Sequence, residues 1–142
     1  MNYNELIQLY FDRSNAMQGY WNLYVLIVGG LLAFSSLRKQ SAAVTTALVC
    51  LLFALFAYNN LDAMKDVTAQ RFALLDAIRQ FDASGGATTN PKPVRDLLEP
   101  TLTPATYASV KMTHLTSDIL TIVALVAMEI RRRNLRDGAR VP

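Results

Sequence analysis

Charge is scarce in this 142-residue chain, and so are the residues that build metal sites and covalent cross-links. A single cysteine, Cys50, excludes an intrachain disulfide and any multi-cysteine metal site. A single histidine, His114, excludes the multi-histidine metal sites and leaves haem only a lone candidate ligand. Charged residues make up 18% of the chain and hydrophobic ones 52%, which excludes a disordered protein and is apolar for a water-soluble chain of one-domain length. Catalytic signatures are missing too: there is no Walker loop, dinucleotide glycine fingerprint, GxSxG elbow or HExxH. The serines share one histidine as a conceivable base, and no spacing pairs any of them with it. The expectation is a protein that is not an enzyme, with no cofactor and no metal.

The missing charges define two stretches. Residues 14–37, between Arg13 and Arg38, are 24 positions without a charge, and residues 40–61, between Lys39 and Asp62, are 22 more. A transmembrane helix needs about 20 predominantly apolar residues to cross a hydrocarbon core of about 30 Å. A helix in a soluble core carries charges on its outer face, and neither stretch has any. The sequence therefore predicts spans over 20–37 and 42–61. Arg38, Lys39, Gln40 and Ser41 join them, a link short enough to force an antiparallel hairpin. No basic n-region or small-residue cleavage site marks a secretory signal, so the first span is expected to be retained.

A third segment, Ile119 to Met128, has ten uncharged residues between Asp118 and Glu129 and is too short by itself. The wider window Met112 to Ile130 has 19 residues but includes His114, Asp118 and Glu129. Topology decides. The tail Arg131 to Arg140 holds five arginines and one aspartate. If the third segment crosses, this tail and Arg38 with Lys39 lie together in the cytoplasm, as the positive-inside bias prefers. The expected localisation is a multi-pass membrane protein, N-terminus exoplasmic and C-terminus cytoplasmic.

Outside the spans, residues 62–111 carry six acids and six bases. Met64, Val67, Leu74, Leu75, Ile78 and Phe81 form one face at a 3.6-residue period, opposite Asp62, Asp66, Ala73, Asp76 and Gln80. No Gly or Pro separates this segment from the second span, so one helix of about 60 Å from Ala42 to Asp82 is expected. Ser84, Gly85 and Gly86 end it, 83–103 reads as loop with a turn or two over Val94 to Glu99, and Thr103 with Pro104 reads as the start of a helix over 104–133. At the N-terminus, Tyr3, Leu6, Ile7, Tyr10, Met17 and Trp21 recur at helical steps. That amphipathic helix over 1–19 either lies on the lipid surface or runs into the first span and covers the apolar face of 62–82; the second arrangement is preferred. The predicted fold is an all-α integral membrane protein of three long antiparallel helices, forming one membrane domain over 1–142 with helical extensions outside the bilayer and a basic tail over 134–142.

Four groups of residues stand out. Gly29, Gly30 and Ala33 on the first span, with Ala43, Ala47, Cys50, Ala54 and Ala57 on the second, are small-residue faces of the kind that lets helices approach in lipid, within one protomer or between protomers. Lys111, His114 and Asp118 share a helix face, with His114 and Asp118 spaced to pair, and Asn59, Asn60 and Asp62 fall at the same level of the second span. They form either a headgroup-level polar set or a polar or ion site between the spans. Tyr20, Trp21, Tyr24 and Tyr58 read as an interfacial aromatic belt. Arg38, Lys39, Arg131, Arg132, Arg133 and Arg136 read as orientation signals that also meet anionic lipid; Glu129 can pair with Arg132 or Arg133. No nucleic-acid motif accompanies the basic run.

The expected partners are the lipid bilayer, other membrane subunits or further copies of the chain, and no nucleic acid. The expected function is that of a small non-catalytic accessory or assembly subunit of a membrane complex. A homo-oligomeric ion channel or membrane-disrupting effector is the second reading, and an integral membrane enzyme the third.

Overall fold

The structure is a computed structural model, and it describes residues 2–83 and 99–138. It contains three α-helices: α1, Tyr3–Leu37; α2, Ala43–Ala83; and α3, Tyr107–Gly138. A 3-10 turn, Glu99–Leu102, precedes α3. No strand occurs among the described residues. At 1.5 Å per residue the helices are about 52, 62 and 48 Å long. All three are long and apolar enough to cross a membrane.

Local chemistry sets the helix starts. Asn2 Oδ1 accepts the Glu5 amide proton at 2.9 Å, and the Glu5 carboxylate accepts the Asn2 amide proton at 2.8 Å. This reciprocal capping box satisfies two otherwise orphaned donors. At α3 the cap is Thr106, whose Oγ1 accepts from the Ser109 amide at 3.3 Å. The expected start at Thr103 and Pro104 is therefore corrected. Thr103 Oγ1 turns back to donate to the Pro100 carbonyl beside the buried Leu102, so Thr103 and Pro104 follow the 3-10 turn in the link that precedes α3. At its other end α3 continues beyond the expected limit of 133, to Gly138. α1 runs without interruption from Tyr3 to Leu37, so the N-terminal helix continues into the first span, the arrangement preferred from the sequence. The expected turns over 94–98, the Ser84–Gly86 stop and the end of the basic tail lie outside the described residues.

The chain forms two compact units: Met1–Tyr20 with Ala63–Val110, and Trp21–Asp62 with Lys111–Pro142. The first has an ordinary apolar core. Tyr3, Leu6 and Tyr10 of α1 pack with Leu75 and Ile78 of α2 and Leu102 of the turn, and Ile7, Leu74, Ala77 and Phe81 surround them. The predicted polar face of α2, including Asp66, Asp76 and Gln80, is exposed. Tyr10 donates its hydroxyl proton to the Leu102 carbonyl, and Tyr3 donates to Glu99 Oε1 at 3.2 Å. Two tyrosines thus tie the 3-10 turn to α1. Arg71 lies over the Tyr10 ring, 5.4 Å from its centroid, a cation–π contact that also covers the ring with the arginine's aliphatic stem.

The second unit is polarised the other way. Its interior holds Tyr24, Phe53, Ala57 and Leu125, but also Ser35, Thr46, Asn60, His114, Thr121 and Glu129. Its outer faces are apolar: Val25, Leu26, Leu37, Val44, Leu52, Ile119 and Leu120 are each more than 60% exposed. In the most apolar window of α1, α2 and α3, only 11%, 22% and 28% of residues are buried within the chain.

A buried histidine–aspartate network as candidate functional site

Three helices each contribute to one polar cluster inside the second unit. On α2, Asn60 follows Phe53 and Ala57 along the buried stripe at helical spacing. On α3, His114 and Asp118 lie one turn apart on one face. On α1, Tyr24 is buried beside Trp21.

His114 is fully buried, at 0% exposure. Its Nε2 lies 3.2 Å from the Asn60 amide nitrogen, which can only donate, so Nε2 accepts. The ring proton is then on Nδ1, which donates to Asp118 Oδ2 at 2.9 Å. Tyr24 donates its hydroxyl proton to the other carboxylate oxygen, Oδ1, at 2.8 Å. The Tyr24 ring packs on the imidazole with centroids 4.3 Å apart, and the Trp21 ring lies 5.8 Å away. Both ring nitrogens of His114 and both oxygens of Asp118 are therefore committed within one chain. Such a closed network fixes geometry, because any sliding of one helix leaves a buried polar group without a partner.

The structure joins His114, Asp118 and Asn60 and leaves out the other three predicted members. Asn59 is exposed and returns its amide to the Leu55 carbonyl at 3.0 Å. It is one residue, about 100°, around the helix from Asn60. Asp62 is exposed for the same reason, about 200° from Asn60. Lys111 is exposed as well, and both Asp118 oxygens are engaged by His114 and Tyr24. Tyr24, expected in an interfacial belt, is instead a hydrogen-bond donor of the cluster.

A second buried cluster surrounds Glu129. Its Oε2 accepts from Thr46 Oγ1 and from Arg132, each at 3.1 Å, and lies 3.9 Å from Arg38. Arg132 also donates to the carbonyl and the hydroxyl oxygen of Ser35. Arg38 lies over the Phe34 ring and donates to Thr46. Arg38 and Arg132, expected to meet lipid, thus turn their guanidinium groups into the protein: their side chains are 16% and 11% exposed. Arg131, Arg133, Arg136 and Lys39 are exposed. Thr46 and Ser35 carried no sequence signal as partners of this ion pair.

The small-residue faces lie mostly outward within this chain. Ala57 is buried and Cys50 half-buried, whereas Gly29, Gly30, Ala33, Ala43, Ala47 and Ala54 are exposed. A Cβ built on Gly29 or Gly30 meets nothing within 4 Å. The buried seam of α2 runs instead through Thr46, Phe53, Ala57, Asn60 and Met64, because the ring of Phe53 and the polar groups of Thr46 and Asn60 need the interior more than alanines do.

No group of three or more His, Cys, Asp or Glu residues is arranged to hold a metal ion among the described residues. Comparison with protein-family models, with curated proteins and with solved structures finds no match to the chain.

Proposed function

We propose that this is a three-span membrane protein, N-terminus exoplasmic and C-terminus cytoplasmic, serving as a non-catalytic assembly subunit of a larger membrane complex. The observation that carries the reading is the inverted polarity of the second unit. Its polar side chains are turned inward and, apart from Glu129 Oε1 and Arg132 Nε, hydrogen-bonded, while leucine, isoleucine and valine side chains face out. Water does not stabilise that arrangement: soluble monomers rarely expose contiguous apolar patches beyond a few hundred Å². Hydrocarbon does, provided the intramembrane ionisable groups are paired. Lys111 and Arg131 are both exposed and stand about 30 Å apart along α3. They bracket a bilayer core with His114, Asp118 and Glu129 inside it, which is why each of those groups is partnered within the chain.

The outward small residues support the assembly role. Gly29, Gly30, Ala43, Ala47 and Ala54 leave room for a neighbouring helix backbone, and the chain does not use that room itself. The non-catalytic part of the reading rests on the sequence, which carries no recognised catalytic signature. Purification from native membranes in mild detergent, followed by native mass measurement, tests the reading. An assembly subunit travels with chains of other masses; a solitary species of one chain's mass overturns it.

A self-associating channel is the second reading, favoured by an ionisable His114–Asp118 pair at membrane depth. It ranks second because that pair is closed off inside one protomer. It requires homo-oligomers in the same mass measurement, and a conductance in reconstituted vesicles that Asp118→Asn alters.

A further inference from the structure

A cleft of about 520 Å³ lies where the α1–α2 link meets the end of α3. Lys39, Gln40 and Ser41 line it from the link, and Arg132, Leu135 and Arg136 from α3. The lining thus has three cations, an amide, a hydroxyl and one leucine, and no carboxylate. Two carboxylates lie nearby in sequence, and neither neutralises it. Glu129 is buried and shared between Arg132 and Arg38. Asp137 reaches only Arg136 Nε, at 3.6 Å, with both side chains more than half exposed. Lys39 forms no ion pair among the described residues. Arg132 is held rigidly by Ser35 and Glu129, and its buried Nε has no hydrogen-bond partner. The first turn of α2 contains no acid to offset its N-terminal N–H groups.

Such a site offers three cationic side chains, and no carboxylate lines it; Glu129 and Asp137 each engage one of its arginines from outside the lining. A phosphodiester, with two charged non-bridging oxygens and two ester oxygens set tetrahedrally about phosphorus, matches it better than a planar carboxylate does, because guanidinium and ammonium groups can approach it from different directions. Apolar surface adjoins it in sequence: Leu37 is 80% exposed and Val44 75% exposed on either side of the link. A ligand with a phosphate head and hydrocarbon tails meets both features.

We infer that this cleft binds the phosphate of an anionic lipid headgroup, one lipid per chain. The inference rests on the membrane reading above and adds to it a defined site, as distinct from diffuse attraction of a basic tail. Native mass spectrometry of the detergent-purified full chain, titrated with phosphatidylglycerol, phosphatidylcholine or inorganic phosphate, tests it. The wild-type chain retains one phosphatidylglycerol and releases phosphatidylcholine more readily. Lys39→Gln/Arg136→Gln, both exposed positions, weakens retention about thirtyfold. Arg131→Gln/Arg133→Gln removes the same charge outside the cleft and leaves one lipid bound. Displacement of the lipid by millimolar inorganic phosphate supports the site and assigns it to phosphate from either source. Equal losses in the two double variants, or full retention by Lys39→Gln/Arg136→Gln, overturn it. Failure of the membrane reading shows differently, as a chain that stays folded once detergent is removed.

Discussion

Tyr24 on α1 donates its hydroxyl proton to Asp118 on α3 at 2.8 Å, across 94 residues of sequence. His114 holds the second oxygen of the same carboxylate and is itself held by Asn60 on α2. One carboxylate and one imidazole therefore set the axial register of three helices. The leucine and valine faces cannot do this, since sliding one apolar surface along another in hydrocarbon changes little. A polar group that has a partner in only one register can.

The network should be stabilising, in a definite order. Asp118→Leu orphans the Nδ1 proton of His114 and the hydroxyl of Tyr24. An orphaned buried donor costs about 1–3 kcal/mol in water-soluble proteins, but hydrogen bonds between membrane helices average only about 0.6 kcal/mol. A loss of about 2–4 kcal/mol is expected for Asp118→Leu and about 1 kcal/mol for Tyr24→Phe, which removes one donor and leaves Asp118 Oδ1 without that partner while Nδ1 of His114 still holds Oδ2. Thermal unfolding of the detergent-solubilised protein checks both. An Asp118→Leu variant that melts with or above the wild type would show that the network does not stabilise the bundle.

Glu129 is the common acceptor of Thr46, Arg132 and Arg38, so removing it should cost more than removing any one donor. Glu129→Ala leaves two largely buried guanidinium groups without a counter-charge, a loss of about 3–5 kcal/mol. Replacing both sides, Glu129→Leu with Arg132→Met, should recover at least half of that, because an apolar pair needs no counter-charge. A double variant less stable than Glu129→Ala would contradict this account.

The first two apolar spans were legible because their signals are additive: 24 and 22 charge-free positions cannot be read as anything shorter. The amphipathic face of residues 64–81 was legible for the same reason, and Leu75 and Ile78 lie in the core where the period puts them. Which of two neighbouring polar residues turns inward was not. Asn59 and Asn60 are chemically identical, and only the rotation of α2, set by Phe53 and Met64, selects Asn60. The small-residue stripe misled in the same way. Its spacing specifies a face, and which face meets another helix depends on the bulk and polarity of the competing faces. The α3 cap moved from Thr103 to Thr106 because burial of Leu102 pulls residues 99–102 into a turn, a long-range contact with Tyr10 that local propensity does not contain.

Contrasting substitutions separate the two kinds of apolar surface. Ile78 has 0% exposure in the first unit and Leu26 70% in the second. Ile78→Ala opens a cavity and should destabilise by about 2–5 kcal/mol. Leu26→Ala exchanges one hydrocarbon contact for another if lipid or detergent surrounds it, and should change stability by less than about 0.5 kcal/mol. Unfolding in the same detergent measures both. A large loss for Leu26→Ala would mean that this face packs against protein, and the mass of the purified species would then identify it as a subunit contact.

The proposed orientation rests on counting charges across an odd number of spans. Residues 38 and 39 sit between the first two spans, and five arginines follow the third. Three crossings put both groups on the same side, which the bias toward cytoplasmic Lys and Arg assigns to the cytoplasm. Residues before the first span carry Glu5, Asp12 and Arg13, a net charge of −1 that does not oppose translocation. Single cysteines in a Cys50→Ala background report this directly, at exposed positions near each end: Gln8→Cys and Asp137→Cys. A membrane-impermeant maleimide applied to intact cells should label position 8 and leave position 137 untouched until the membrane is permeabilised. Labelling of both from outside would mean an even number of crossings, in which case α3 lies beside the bilayer and the pairing of His114, Asp118 and Glu129 has no membrane cause.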